Sequence, residues 1–192
     1  MAQGRDQLAS GGLYTLQLDL AEGDWGAGLW QGWGDQANYQ ESDAYLQYAP
    51  VFGRLEPFLS LTRLRFGPQG DYDTEVAGGG EWHLTPWLLP GVEATYSRQS
   101  DGSFVLLTLR AEKALTPTLE AGARLSQGLD YGYASNGHDG ANHRQLDLAL
   151  TWHWQTRLSF YLGGHHSWAG EDVRREGGGN LSWLDMGLSA YF

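Results

Sequence analysis

The last stretch of the chain, Leu184–Phe192, alternates strictly in polarity. Apolar side chains occupy every second position, and mainly polar or small residues stand between them. Successive side chains of a strand point to opposite faces, so this period of two predicts a β-strand with one apolar face. An edge strand of a soluble β-protein would show the same local pattern. The rest of the chain therefore has to distinguish the two architectures.

The same alternation recurs along the chain and predicts ten strands between Trp25 and Phe192, with an eleventh at Leu13–Leu20. Short, often proline-bearing turns near positions 22, 53, 87, 116 and 155 alternate with longer glycine- and aspartate-rich loops near 38, 70, 100, 136 and 174. Short periplasmic turns and long extracellular loops are typical of outer-membrane barrels. We therefore predict an all-β, antiparallel up-and-down transmembrane β-barrel of 10–12 strands over residues 13–192, located in the bacterial outer membrane. A polar N-terminal segment, residues 1–12, is expected to precede it.

Aromatic residues concentrate where the predicted strands end. Those near the short turns are Phe52, Trp82, Trp87, Trp152, Trp154 and Phe192, and those near the long loops are Trp33, Phe66, Tyr96, Tyr131 and Trp168. Because tryptophan and tyrosine gather at both membrane–water interfaces, this distribution predicts two aromatic girdles.

Composition narrows the function classes. No run approaches the ~18 consecutive apolar residues of a transmembrane helix. A mean hydropathy of −0.43 does not exclude a membrane barrel, because each strand shows lipid only every second residue. The absence of cysteine excludes disulfide scaffolds and thiolate metal sites, and the net charge of −11 argues against nucleic-acid binding. No cofactor is predicted, and a monomer is expected.

Two details of the pattern conflict with a regular barrel. Bacterial barrels have even strand numbers, so an eleventh strand implies a missing strand, an N-terminal segment that threads the lumen, or a misassigned strand. In the strand Phe58–Phe66, Leu59 and Leu61 are out of phase with Leu64 and Phe66, and a β-bulge would explain the change.

Several segments resemble a family of uncharacterised Gram-negative outer-membrane proteins of unassigned function. The segments are Gly4-Arg5-Asp6-Gln7-Leu8, Gly28-Leu29-Trp30, Tyr133–Gly140, His166-Ser167-Trp168-Ala169 and Arg175-Glu176-Gly177. In that family a strand precedes the Gly-Arg-Asp segment, so the resemblance implies a twelve-strand barrel. The resemblance implies no catalytic residues.

The face opposite the apolar one supplies the candidate site. The residues predicted to line a pore are Asp19, Glu81, Glu93, Arg110, Glu112, Glu120, Arg124, Asp147, His153, His165 and Asp185. Their acidic excess predicts a narrow porin-like channel for small solutes or cations, because lining charges focus the field in a constricted path. Acidic loop residues are expected to add to the attraction at the mouth. These are Asp35, Glu41, Asp43, Asp71, Asp73, Asp101, Glu171 and Asp172.

Two alternatives stay open. The sequence His165-His166-Ser167 is similar to the His-x-Ser segment of outer-membrane lipid A deacylases, in which His165 and Ser167 would serve as base and nucleophile. Alternation places both on the lumen side, which favours a non-enzymatic role. The other alternative is a plugged structural or adhesive barrel. His138, Asp139 and His143 lack a recognisable metal-ligand spacing, and no metal site is predicted.

The expected partners follow from this location. They are outer-membrane lipid and lipopolysaccharide, and the barrel-assembly machinery, which would recognise the C-terminal strand ending in Phe192.

Overall fold

The computed structural model describes residues 12–35, 39–67, 70–135 and 139–192. Eleven antiparallel strands form one sheet in sequence order. They are β1 Leu13–Glu22, β2 Trp25–Gly34, β3 Gln40–Tyr48, β4 Leu55–Phe66, β5 Asp71–Trp82, β6 Leu88–Ser97, β7 Gly102–Thr116, β8 Leu119–Tyr131, β9 Asp139–Gln155, β10 Leu158–Ala169 and β11 Leu181–Ala190. A short helix, α1 (Glu171–Arg175), lies between β10 and β11. This is the predicted up-and-down barrel topology, and the strand number falls within the predicted range.

Each strand pairs with its neighbours in sequence, so the connections fall at two ends. At one end the connections join β1–β2, β3–β4, β5–β6, β7–β8 and β9–β10 and have two to six residues. At the other end they have four to eleven residues, and the longest carries α1. The predicted difference in length therefore holds for the two ends taken together, but the β6–β7 connection, predicted as a longer loop, is shorter than the β3–β4 turn. By the usual orientation of outer-membrane barrels, we call these the periplasmic and extracellular ends. No helix within the described ranges is both long and apolar enough to cross a membrane.

The register divides the strand residues into an outer and an inner face. In β9–β11, for example, Leu148 pairs across with Gly164, which pairs with Leu184. Along the middle of β9–β11 the outer-face side chains are mostly apolar and exposed, with Leu184 at 79% and Met186 at 81%. Exposed apolar surface costs ~25 cal/mol per Å² in water, so a continuous belt of this kind requires an apolar surrounding. The apolar residues that alternation places on one face of β9–β11 form such a belt. Its members are Leu146, Leu148, Leu150, Leu158, Phe160, Leu162, Leu184, Met186 and Leu188.

Strand β4 differs from its prediction. It pairs with β3 and β5 without a register shift, so the expected bulge is absent from these two ladders. Leu64 and Phe66 instead lie on the inner face, where Leu64 is 6% exposed. Phe66 therefore does not belong to the extracellular group of outward aromatics. Register shifts occur elsewhere, at Ala114/Thr116, Gly128/Leu129 and Leu158/Ser159.

The edge strands β1 and β11 run in the same direction, because the antiparallel sheet has an odd number of strands. Within the part of the chain that the structure describes, β1 pairs only with β2 and β11 only with β10. A strand inserted between them in the opposite direction would be antiparallel to both. The eleven strands exclude a misassigned strand as the source of the odd number. The N-terminal segment at issue lies almost wholly outside the described residues.

Candidate functional site

The cross-strand register places all eleven predicted lumen residues on the inner face. They are Asp19, Glu81, Glu93, Arg110, Glu112, Glu120, Arg124, Asp147, His153, His165 and Asp185. Seven of them meet in two charge clusters, described next. Asp19 contacts Tyr45, Glu93 contacts Thr95, and Glu120 lies in a row with Thr151 and Tyr161. His153 contacts the Ser159 hydroxyl at 3.0 Å. These four therefore lie apart from the clusters.

The first cluster crosses four consecutive strands, from β8 to β11. His165 Nδ1 lies 2.7 Å from Asp147 Oδ1, and its Nε2 lies 3.1 Å from Asp185 Oδ1. Arg124 Nε approaches Asp147 Oδ2 at 3.6 Å. An imidazole can donate from both nitrogens only as the imidazolium, so both contacts are donated hydrogen bonds only when His165 is protonated. The ring also stacks on Trp183, with centroids 4.9 Å apart and an interplanar angle of 8°.

Glycines make room for this cluster. A Cβ atom at Gly163 would lie 2.0 Å from Asp185 Oδ1 and 2.8 Å from His165 Nε2. A Cβ atom at Gly187 would lie 2.2 Å from Tyr161 Cε1, because the Tyr161 ring lies over that glycine. The absence of a side chain at these two positions lets bulky inner residues lie against the wall.

The second cluster centres on Arg110 of β7. Its guanidinium binds Glu81 of β5 through Nε, at 3.2 Å, and through Nη2, and it binds Glu112 through Nη1. All three side chains are about one-third exposed. In the register Arg110 is opposite Arg124; Arg110 pairs with Glu81 and Glu112, and Arg124 pairs with Asp147, which His165 also contacts. The contacts fix Arg110 across the inner wall and leave it in contact with solvent.

A third acidic group lies on the inner face near the extracellular end and consists of Glu41, Asp43, Asp73 and Glu75. The prediction that Glu41, Asp43 and Asp73 lie in loops is wrong, because Glu41 and Asp43 belong to β3 and Asp73 belongs to β5, as Glu75 does. The four carboxylates interact electrostatically across Leu64 of β4. Asp71 likewise begins β5 and is not a loop residue. Extending the period of two through Gln40–Tyr48 and Asp71–Trp82 would have revealed this group.

Two of these carboxylates are held by polar contacts. Tyr133 Oη donates to Glu75 Oε1, and Asp73 accepts from the Ser97 hydroxyl and from the Gln99 amide at 2.9 Å. Tyr133 lies in the β8–β9 loop, where burial, followed by the charge of Glu75, raises the pKa of its hydroxyl. Tyr133 therefore stays a neutral donor.

The β8–β9 loop is folded back by a buried aspartate. Asp130 is fully buried and accepts hydrogen bonds from the backbone amides of Tyr133, Ala134 and Ser135. The Tyr133 ring contacts Phe104 edge-on at 5.9 Å. This arrangement holds the Tyr133 phenol against Glu75 of the third acidic group, called the inner acidic group below.

The structure does not bring together the side chains that the alternative functions would require. Ser167 is fully buried on the inner face, and its hydroxyl lies 3.5 Å from the Arg144 carbonyl oxygen. His165 is bound to Asp147 and Asp185, so the structure does not assemble a His165–Ser167 pair. His138 lies outside the described residues, and His143 is buried with its Nδ1 2.7 Å from Asn142 Oδ1. Within the described residues, no group of three or more His, Asp or Glu side chains is arranged to hold a metal.

Acidic residues dominate the inner face. Its strand carboxylates are Asp19, Glu41, Asp43, Glu56, Asp71, Asp73, Glu75, Glu81, Glu93, Glu112, Glu120, Asp130, Asp147 and Asp185. Among the described strand residues, Arg110 and Arg124 are the arginines or lysines on this face. Apolar side chains also lie there, including Trp30, Leu89 and Phe104, each less than 9% exposed.

Comparison with solved structures identifies the class of fold. The chain is similar to the NanC porin, with a TM-score of 0.66, 14% identity and coverage of 94% of both chains. It is similar to a bacterial polysaccharide outer-membrane secretin, with a TM-score of 0.54, 13% identity and coverage of 94% of this chain and 69% of that chain. Outer-membrane OmpT of Vibrio cholerae aligns with a TM-score of 0.49 and 9% identity, and the alignment covers 92% of this chain and 64% of that chain.

The chain therefore has the fold of bacterial outer-membrane β-barrels, and the predicted outer-membrane location agrees with this fold. No protein-family model matches the sequence, and no curated protein matches it.

Proposed function

We propose that this protein is a narrow, cation-preferring channel of the Gram-negative outer membrane. The observation that supports the proposal is the charge of the inner face, where carboxylates far outnumber the two arginines. A constricted path through a low-dielectric wall focuses the field of its lining charges, so cations would concentrate in the lumen and anions would be excluded. Outward aromatics near both strand ends, such as Trp33, Trp82, Trp152 and Trp168, would form the two girdles.

The inner acidic group at the extracellular end would act as the entrance filter. Glu41, Asp43, Asp73 and Glu75 lie together, whereas the deeper carboxylates Glu81 and Glu112 are shared with Arg110. At an effective dielectric constant of ~20, one charge contributes on the order of 1 kcal/mol to a cation ~15 Å away. That energy corresponds to roughly a fivefold change in local cation concentration.

Single-channel recording in a KCl gradient tests the proposal. The reversal potential of the wild-type protein should show cation preference. The double variant Glu41→Gln/Glu75→Gln, which keeps the side-chain shape, should move it towards zero in recordings above pH 8, because burial raises the pKa of Glu41 to about 8 and also raises the pKa of Glu75. Glu22→Gln is the matched control, because Glu22 is exposed on the outer face at the periplasmic end. Anion preference in the wild type would contradict the electrostatic argument.

A plugged structural or adhesive barrel is the second candidate. The observation in its favour is the apolar content of the inner face, where Trp30, Leu64, Leu89, Phe104 and Leu106 are all buried. A plugged barrel would conduct nothing. Silent recordings from well-inserted protein would therefore replace the channel with this alternative.

Three further assignments are proposals. Membership of the uncharacterised outer-membrane family rests on the sequence segments given above. Residues 13–192 would form the barrel domain of a monomer after the polar segment 1–12. The C-terminal Phe192 is fully exposed beyond β11, and this position supports its recognition by the assembly machinery.

A further inference from the structure

A basic and aromatic cavity lies at the extracellular end of β8, β9 and β10. Gln127 of β8, Arg144 of β9 and Trp168 of β10 occupy one cross-strand row on the outer face. Together with Arg174 of α1, they line a cavity of about 500 Å³, which Ala141, His143, Ala169 and Gly170 also border. The cavity involves none of the eleven predicted lumen residues.

The register fixes the depth of the cavity relative to the apolar belt. The next row towards the periplasm is Leu125–Leu146–His166, and Leu148 follows it. The cavity therefore begins where the apolar belt ends. Trp168 is 40% exposed there and packs edge-on against His166 at 4.5 Å, which is a typical position for an interfacial tryptophan.

The two arginines at the cavity have no carboxylate partner among the described residues. Arg144 Nε donates to Gln127 Oε1 at 2.9 Å, which is a neutral acceptor. Within residues 12–35, 39–67, 70–135 and 139–192, neither Arg144 nor Arg174 forms an ion pair. The adjacent Arg175, by contrast, is paired with Glu171. Two guanidinium groups unpaired in these ranges and bordering one cavity are unusual in a chain with a net charge of −11.

We propose that this cavity binds the phosphorylated headgroup of an outer-leaflet glycolipid, the lipopolysaccharide of this membrane. Guanidinium groups match phosphate geometry through paired N–H donors. Trp168 would pack at the boundary between the sugar and the acyl chains. The row Gln127–Arg144–Trp168 lies on the outer face, which meets the surrounding lipid, and this position favours a lipid over a diffusing anion. This function is separate from conduction.

Binding of phosphorylated and dephosphorylated lipid A tests the assignment. The folded protein in a non-ionic detergent is titrated with each lipid and followed by native mass spectrometry. The wild type should bind the phosphorylated form at least tenfold more tightly. Arg144→Gln/Arg174→Gln should lose about tenfold or more of that affinity and keep its weak binding of the dephosphorylated form, because charge-assisted hydrogen bonds have this magnitude. The double lysine variant should retain part of the preference.

Arg157→Gln is the matched control, since Arg157 is exposed at the opposite end of the same β9–β10 hairpin. It should bind like the wild type, and heat-modifiable gel mobility verifies that each variant is folded. Equal affinity for the two lipids, an unaffected double glutamine variant, or an equal loss in Arg157→Gln would overturn the proposal. Competition by inorganic phosphate at the same concentration as the lipid would also overturn it, because the site would then be selective for a free anion.

Discussion

Replacing Leu148 by arginine tests whether the outer face lies in a membrane. Leu148 is 53% exposed and lies four residues from Arg144 and four from Trp152 on the same face of β9. A rise of ~3.4 Å per residue and a tilt of ~40° put each of these landmarks about 10 Å away in depth. The span between them is therefore about 21 Å, close to the ~25 Å apolar band of such barrels. A guanidinium at its middle should cost roughly 2–4 kcal/mol.

Urea titration of protein folded in lipid vesicles, followed by heat-modifiable mobility, measures this cost. Thr151→Arg is the matched control, because Thr151 lies on the inner face in a row with Glu120. It should change the free energy of unfolding by less than about 1 kcal/mol. If Leu148→Arg costs no more than Thr151→Arg, the assignment of the outer face to lipid is wrong.

Three other changes test the remaining parts of the structure. Deleting Phe192, which is fully exposed, should impair insertion in cells much more than refolding into detergent, and normal insertion would contradict its role as a recognition signal. Gly187→Ala should lower single-channel conductance without changing selectivity, because the Tyr161 ring has to leave the wall; unchanged conductance would show that this ring does not limit the bore. Arg110→Gln should strengthen cation preference in reversal-potential measurements, since Glu81 and Glu112 lose their shared cation, and weaker preference would contradict the proposed filter.

Periodicity predicted the two faces because each strand keeps one phase along most of its length. Alternation along the strand is enough to predict that Leu184 and Met186 lie on one face and Asp185 on the other. The phase change at Leu64 and Phe66 has two local explanations, a bulge or apolar side chains on the inner face. Only the paired strands distinguish them, and their unbroken register shows the second.

The contacts of the inner face were less predictable, since they depend on register between strands. His165 meets Asp147 and Asp185, residues eighteen and twenty positions away in sequence. Glu41 and Asp73 resemble loop residues because beyond the apolar band both faces of a strand are polar, and the alternation that marks a strand fades. Sequence composition therefore suggests a loop where the hydrogen-bonded ladder continues.

The row from Arg124 through Asp147 to His165 also has a consequence for how an ion would travel. Antiparallel hydrogen bonds run perpendicular to the strands, so a cross-strand row inherits the tilt of the barrel. With strands ~4.8 Å apart and tilted by ~40°, each step changes depth by about 3 Å, or about 6 Å over the two steps. These side chains therefore lie along an oblique line and not in a ring at one depth. A permeating cation would meet them in succession, and Asp185 would contact His165 from outside the row, two residues along β11 from Trp183, the residue that continues it.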